Sequence, residues 1–110
     1  MQVTNVNKKL KEDTFVVLTI LQIEKDFKLL GIEFIMRSYE INDLEEAICN
    51  TLLAISFEKL MQIAYTVDIE ETKINRWQHN GAHPLEFAKM IIERAALKVF
   101  LRLENTKNSL

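Results

Sequence analysis

The apolar residues of this chain recur at the spacing of α-helices. The first stripe has steps of four and three, and its members are Val16, Ile20, Ile23, Phe27 and Leu30. Such a pattern forms one face of a helix. Asp13 or Thr14 can cap its start, and Gly31 suits a left-handed C-terminal cap. We therefore expect a first helix from about residue 13 to residue 30.

A second helix is predicted after Asn42. This residue and Glu45 have the spacing of a capping box, and Ile41 stands at the staple position before it. The apolar stripe that follows consists of Leu44, Ile48, Leu52 and Ile55. Between the two helices, apolar and other residues alternate over 32–36, which fits either a short extended segment or the start of another helix.

Two further helices are predicted over residues 56–79. Ser56 can start the third helix, whose apolar face consists of Phe57, Leu60, Met61, Ala64 and Val67. Asp68 and Glu71 have the spacing of another capping box and place acidic residues at the start of the fourth helix. That helix should run to about His79, and Asn80-Gly81 should end it.

The last helix is predicted from Pro84, which suits a first helical turn, to about Leu103. Its main face should consist of Leu85, Ala88, Ile92, Ala95, Val99 and Leu103. Further apolar residues surround much of the rest of the helix: Phe87, Met90, Ile91, Leu97, Phe100 and Leu101. A helix this apolar must lie at the centre of the bundle or meet another subunit.

The composition agrees with a helical protein. The chain has 110 residues, with only two glycines and one proline, whereas the turns of an all-β protein usually need many of these residues. We predict an all-α, compact bundle of four to five helices that forms a single domain over residues 1–110. The polar segments 1–12 and 105–110 are expected to be flexible.

Charge and cysteine content exclude several classes of protein. The net charge of −2 gives no general attraction to nucleic acid or to anionic membranes. The uncharged run 14–23 is too short for a bilayer, which takes about 20 residues, and the N-terminus lacks the apolar core of a signal peptide. Cys49 is the only cysteine and fits a reducing compartment. We expect a cytoplasmic protein without a membrane segment.

The most suggestive local pattern lies between Leu60 and Trp77. In a DNA-binding helix-turn-helix, a small residue in the first helix allows close approach of the second, and here that residue is Ala64. The apolar positions around the turn are occupied by Ile63, Val67, Ile69, Ile74 and Trp77. Segment 74–81 also resembles the end of a repressor-type recognition helix, where an Arg-Trp pair precedes a closing glycine.

The charges of this segment disfavour DNA. Glu70 and Glu71 occupy the positions that would enter the major groove first, whereas phosphates attract Lys and Arg. If DNA is bound, the contacts would be Lys73, Asn75 and Arg76. An ordinary corner between two packed helices requires the same apolar spacing. DNA binding through 60–79 is therefore the alternative hypothesis, and nucleic acid is a disfavoured partner.

No pattern typical of a catalytic, cofactor or metal site is found. His79 and His83 are four residues apart, but the Asn-Gly pair and Pro84 interrupt the helix, and no third ligand is nearby. Cys49 is best explained as a small buried hydrophobe. The chain has no glycine-rich phosphate loop, nucleophile elbow or zinc signature. We expect a protein that is not an enzyme and that needs no cofactor.

The segments AYTVDIEE at 64–71 and MIIERAALKVFLR at 90–102, with GIEF at 31–34, resemble a group of small uncharacterised bacterial helical proteins. The residues that carry the resemblance are Tyr65, Asp68, Glu71, Arg94 and Lys98. This chain departs from the pattern at Ala64, where the group has Leu, and at Ala95, where it has Glu. The resemblance implies an all-helical bacterial protein and adds no activity.

The matching charged residues also suggest a structural hypothesis. Asp68 and Glu71 open one predicted helix, and Arg94 and Lys98 lie about one turn apart on the last. We expect these acidic and basic groups to form a polar network that ties the corner to the final helix. For function, we expect a non-catalytic interaction or assembly protein that forms homo-oligomers, or binds another protein, through apolar helix faces.

Overall fold

The computed structural model describes the backbone of residues 2–34, 36 and 38–108, and the side chains of 12–34, 36 and 38–106. Over these residues the chain forms five α-helices and no strand, which confirms the predicted all-α bundle. The helices are α1 (Gln2–Leu29), α2 (Ile41–Leu53), α3 (Phe57–Val67), α4 (Glu71–His79) and α5 (Pro84–Asn108).

The terminal helices are longer than the sequence predicted. Helix α1 begins at Gln2 rather than at Asp13 or Thr14, and α5 continues past Leu103 to Asn108. Neither extension contains Gly or Pro, so nothing in the backbone ends the helix where the apolar stripe ends. The flexibility expected for 1–12 and 105–110 stays a prediction, and Met1, Ser109 and Leu110 lie outside the described residues.

The start of α2 differs from the predicted capping box. Glu40 is the N-cap and its side chain makes no cap hydrogen bond, so the Asn42–Glu45 box is wrong. The Ser38 hydroxyl instead donates a hydrogen bond to the carboxylate of Asp43. Asp43 lies in the first turn of α2, where the helix dipole favours an acidic group. Residues 32–34 and 36 have neither helical nor strand structure, and Ile35 lies outside the described part.

The glycine and proline signals are confirmed. Gly31 follows α1 with φ 70°, Gly81 follows α4 with φ 100°, and Pro84 opens α5. An added Cβ at Gly81 would also lie 3.0 Å from the His83 ring. Ser56 is the N-cap of α3 and accepts a hydrogen bond of 3.1 Å from the Lys59 backbone N–H, as predicted.

Two predicted apolar faces are shifted. Leu85 and Leu103 were placed on the main face of α5 but are exposed, and Phe57 on α3 is 59% exposed. The fully buried residues of α5 are Phe87, Ala88, Ile91, Ala95 and Val99. Since α5 is apolar on several sides, its sequence alone leaves the phase undecided, and the helices it packs against determine which side is buried.

Helix α5 is the centre of the bundle. It packs mainly on α1 and α2, and also on α3. The core comes from all five helices and includes Ile20, Ile23 and Phe27 from α1, Leu44 and Ile48 from α2, and Ile63 from α3. Gln22 lies opposite Arg102 and Asp26 opposite Lys98, so α1 and α5 run antiparallel. Within the described residues, no helix has the length and hydrophobicity needed to cross a membrane.

Candidate functional site

The corner between α3 and α4 is built around Asp68. This residue is the C-cap of α3 and has left-handed backbone geometry, with φ 69° and ψ 53°. The backbone N–H of Ile69 donates to the carbonyl of Ala64 at 2.9 Å, and that of Asp68 donates to Tyr65 at 3.2 Å. These bonds satisfy carbonyls at the end of α3. The predicted Asp68–Glu71 capping box is therefore wrong, because Asp68 closes α3 instead of opening α4.

The residues at the helix-turn-helix apolar positions pack the corner together. Ala64 is 6% exposed, and Ile74 and Trp77 are each 8% exposed. The turn between the helices has three residues, 68–70. Glu70 is the N-cap of α4, and its side chain makes no cap hydrogen bond.

Trp77 joins this corner to the start of α5. Its indole N–H donates to the backbone carbonyl of His83 at 2.8 Å, and its ring lies 4.9 Å from that of Phe87 with a tilt of 60°. The contact buries a large aromatic surface and also satisfies the indole N–H.

His79 contacts the backbone carbonyl of Asn75 at 2.9 Å. Among the described side chains, no three His, Cys, Asp or Glu residues are grouped as metal ligands would be.

The structure brings together part of the predicted polar network. Arg94 Nη2 lies 2.8 Å from Asp68 Oδ2, which ties the corner to α5. Lys98 is directed elsewhere: its ammonium lies 3.5 Å from the backbone carbonyl of Thr66 and 4.0 Å from the carboxylate of Asp26. Glu71 is exposed at the start of α4 and forms no ion pair with another described residue.

Asp26 is a buried acid that the sequence analysis missed. Its side chain is 7% exposed between α1 and α5. Gln22 donates a 3.1 Å hydrogen bond to its Oδ1, and Arg102 in turn donates to Gln22 at 3.1 Å. No described donor is in hydrogen-bond contact with Oδ2. The position of Asp26 on the stripe that contains Ile23 and Leu30 was the signal available in the sequence.

The burial of Asp26 changes the pKa of its carboxyl. Loss of solvent raises the pKa of its carboxyl, although the charge of Lys98, the hydrogen bond from Gln22 and the charge of Lys25 oppose that rise. Desolvation disfavours the charged form of an acid.

Burial also raises the pKa of the Cys49 thiol, with a contribution from the negative charge of Glu45. This half-buried thiol is therefore a poor nucleophile.

The candidate DNA contacts are on the outer surface of α4. Lys73, Asn75 and Arg76 are all exposed, but so are Glu70 and Glu71. The ammonium group of Lys59 already has a partner within the protein, because its Nζ donates a hydrogen bond to the backbone carbonyl of Leu30 at 2.9 Å. The outer surface of α4 thus has mixed charge.

Helix α5 has an apolar surface outside the core. In its second half, Leu97 is 43% exposed, Phe100 50%, Leu101 49% and Leu103 44%. Phe100 and Leu101 lie three and four residues after Leu97, so the three side chains share one face of the helix, opposite the fully buried residues Ala95 and Val99. We refer to Leu97, Phe100 and Leu101 as the outer face of α5. Apolar patches of this kind often mark interaction surfaces.

The fold and these surfaces define an all-α helical bundle with a three-residue corner between α3 and α4 and an exposed apolar face on its central helix. No protein-family model matches the chain, and no significant match was found among curated proteins or solved structures.

Proposed function

We propose that the protein is a non-catalytic assembly protein that self-associates through the outer face of α5. The observation that carries this proposal is the exposure of Leu97, Phe100 and Leu101 on the helix whose opposite face forms the core. Removing such apolar area from water favours association by roughly 25 cal/mol per Å². The resemblance of 64–71 and 90–102 to small bacterial helical proteins supports a bacterial origin and adds no activity.

A second copy of the chain is the occupant that suits this face best. The net charge of −2 is small, so repulsion between two copies is weak. An apolar face on a single helix can pack on the same face of another copy around a two-fold axis, the commonest arrangement in homo-oligomers. The charged residues Glu93 and Glu104 border the face along α5 and would remain in solvent at its edge.

The test is the oligomeric state of a variant of this face. Leu97→Glu/Leu101→Glu places two carboxylates in the proposed contact, and light scattering after gel filtration reports the mass. The matched control is Leu53→Glu, which changes a 71% exposed leucine at the end of α2. We expect the unchanged chain and the control to associate equally and the α5 variant to lose mass. A monomeric unchanged chain would refute the proposal.

Helix-turn-helix DNA binding is the second candidate. The specific observation in its favour is the left-handed Asp68 in a three-residue turn, with exposed Lys73, Asn75 and Arg76 on the following helix. The acidic residues that precede them oppose it. Because Trp77 is buried, labelled DNA is a better probe than tryptophan fluorescence.

Anisotropy of a labelled mixed-sequence duplex at low salt would test this candidate, since non-specific affinity is strongest there. Lys73→Ala/Arg76→Ala should weaken any binding, whereas Lys25→Ala/Lys28→Ala, which removes two exposed cations from α1, should have a smaller effect. Absence of binding by the unchanged chain at low salt would eliminate the candidate.

A further inference from the structure

A groove beside α5 continues the outer face of this helix. It lies between α5 and the segment formed by the corner and α4, and it consists of two adjoining cavities of about 220 and 310 Å³. The smaller cavity has Ile69, Met90 and Leu97 as its apolar lining, and Ile69 and Met90 are only partly buried. Because Leu97 also belongs to the outer face of α5, the groove and the outer face form one continuous surface.

The larger cavity contains two cations that have no ion-pair partner in the described part of the chain. Lys73 and Arg76 of α4 line it together with Glu86, Lys89 and Glu93 of α5. Lys89 lies 3.9 Å from the carboxylate of Glu86, whereas Lys73 and Arg76 are exposed and form no ion pair with another described side chain. These two cations are therefore available to a carboxylate of a binding partner.

Leu97 lies midway between the groove and an acidic residue near the end of α5. Met90, which lines both cavities, precedes Leu97 by seven residues, and Glu104 follows it by seven. Seven residues are two helical turns, or about 10 Å, and they place all three residues on nearly the same side of the helix. A two-fold axis beside Leu97 would therefore bring Glu104 of each copy to Met90 of the other.

We propose that two copies of the chain cross antiparallel with their Leu97 side chains in contact, and that Leu101 of each copy enters the groove of the other. Leu101 follows Leu97 by about one turn, so in this crossing it lies one turn before Leu97 of the other copy. That is the level of the smaller cavity, where Ile69 and Met90 supply apolar surface. The two-fold symmetry makes each contact twice.

The same crossing brings opposite charges together at both ends of the contact. Glu104 comes to the level of Met90 in the other copy, where Lys73 lines both cavities and Arg76 lines the larger one. These pairs form at the edge of the contact, where they favour one orientation of the two copies over others. The surface is thus complementary to itself in charge as well as in apolar area.

Two other arrangements of the same helices place like charges together. A parallel pair with aligned residues places Glu93 beside Glu93 of the other copy and Glu104 beside Glu104. An antiparallel pair centred between Leu97 and Phe100 places Glu93 opposite Glu104. Like charges that face each other across an interface oppose association, and the crossing at Leu97 avoids these contacts.

The crossing rests on the proposed self-association through α5, to which it adds the orientation of the two copies and a receiving groove beside α4. The mass of the unchanged chain from light scattering is therefore measured first. A monomer would refute the self-association itself, whereas the next two experiments test the crossing in a chain that associates.

Disulfide cross-linking measures the register of the crossing. The background is Cys49→Ala, which removes the only native cysteine, and non-reducing gel electrophoresis measures the covalent dimer. Leu97→Cys should cross-link on mild oxidation, because a disulfide requires Cα atoms about 4.4–6.8 Å apart. Leu101→Cys, the matched variant on the same face, should give little dimer, since the two positions are about 12 Å apart along the helices. Equal or stronger cross-linking of Leu101→Cys would overturn the crossing at Leu97 and leave the self-association standing.

Charge exchange tests the contact with the groove. Sedimentation equilibrium measures the dissociation constant of the unchanged chain, of Lys73→Glu, of Glu104→Lys and of the chain with both changes. Each single change makes two like-charge contacts and should weaken association by about tenfold, and both changes together should restore it.

The control for charge exchange is Lys28→Glu, at an exposed position of α1, which should leave the dissociation constant unchanged. Far-UV circular dichroism checks that each variant keeps its helix content. If neither Lys73→Glu nor Glu104→Lys changes the dissociation constant, the contact of Glu104 with the groove is wrong.

Discussion

At the scale of single residues, Asp26 is a charged side chain buried in the core. It is 5% exposed between α1 and α5, and its Oδ2 lies 4.0 Å from the Lys98 ammonium, which is too long for a strong charge-assisted hydrogen bond. The cost of burying a charge is offset only when the geometry of its partners is good. Ionised Asp26 therefore opposes folding, even though it helps to fix how α1 and α5 align.

We predict that Asp26→Asn raises the melting temperature at pH 7. Because burial raises the pKa of Asp26 in the folded state, the unfolded chain loses this proton at lower pH. The stability of the unchanged protein therefore falls as pH rises through the interval between the two pKa values, and the full penalty is present above the folded-state pKa.

The advantage of Asp26→Asn should shrink as pH falls and vanish below the ordinary Asp value of 3.8, where both states bind the proton. Thermal unfolding followed by circular dichroism across this range measures the effect. Glu24→Gln, which removes another carboxylate from α1, is the matched control. A variant less stable than the unchanged chain at pH 7 would show that Lys98 and Gln22 outweigh desolvation.

At the scale of elements, the α3–α4 corner depends on the backbone of Asp68 more than on its charge. Its side chain is 75% exposed at the ion pair with Arg94, and exposed pairs contribute about 0–1 kcal/mol. A left-handed backbone at a non-glycine residue costs roughly 1–2 kcal/mol, and Asp and Asn tolerate it better than most residues. The corner therefore requires a residue type that accepts this conformation.

We predict that Asp68→Asn lowers the free energy of unfolding by less than about 1 kcal/mol, because it removes only the ion pair. Asp68→Ala should cost about 1 kcal/mol more, since it also places alanine in the left-handed region. Arg94→Glu should lower the melting temperature by facing Asp68 with a like charge. Urea unfolding measures the free energy of unfolding of all three variants. Equal losses for Asp68→Asn and Asp68→Ala would show that the left-handed backbone of residue 68 does not limit the residue type.

At the scale of the whole molecule, the antiparallel pair of α1 and α5 organises the bundle. Helices α2 and α3 pack on this pair, and the fully buried Ile20, Ile23 and Phe27 place α1 in the same core as α5. The 28-residue α1 is about 42 Å long and accounts for most of the 47 Å length of the molecule. Loss of packing in α1 should therefore affect the whole domain.

We predict that Ile23→Ala lowers the free energy of unfolding by about 2–5 kcal/mol, as expected for a large-to-small change in a core. Leu29→Ala, at a 71% exposed position on the same helix, should change it by less than about 0.5 kcal/mol. Unfolding followed by both circular dichroism and Trp77 fluorescence should give one coincident transition. Separate transitions would mean that α1 unfolds independently of the corner.

The elements and part of the site could be predicted from local sequence. Ser56, Gly31, Gly81 and Pro84 act within one turn of the backbone, so their roles at helix ends are visible in the sequence. The predicted apolar stripe of α1 was also correct at its centre, where Ile20, Ile23 and Phe27 are fully buried. The capping boxes predicted at Asn42–Glu45 and Asp68–Glu71 were wrong. The spacing of suitable residues does not decide which residue is the first to leave the helical conformation and so becomes the N-cap.

The sequence by itself determined an all-α fold, since apolar residues at helical spacing and a scarcity of turn residues leave few other ways to bury a core. It also identified the pattern of the α3–α4 corner. Only the tertiary structure decided that Asp68 pairs with Arg94, that Lys98 lies near Asp26, and that Leu97, Phe100 and Leu101 stay exposed on α5. Those outcomes depend on which helices meet and in what rotation, and residues far apart in the chain set both.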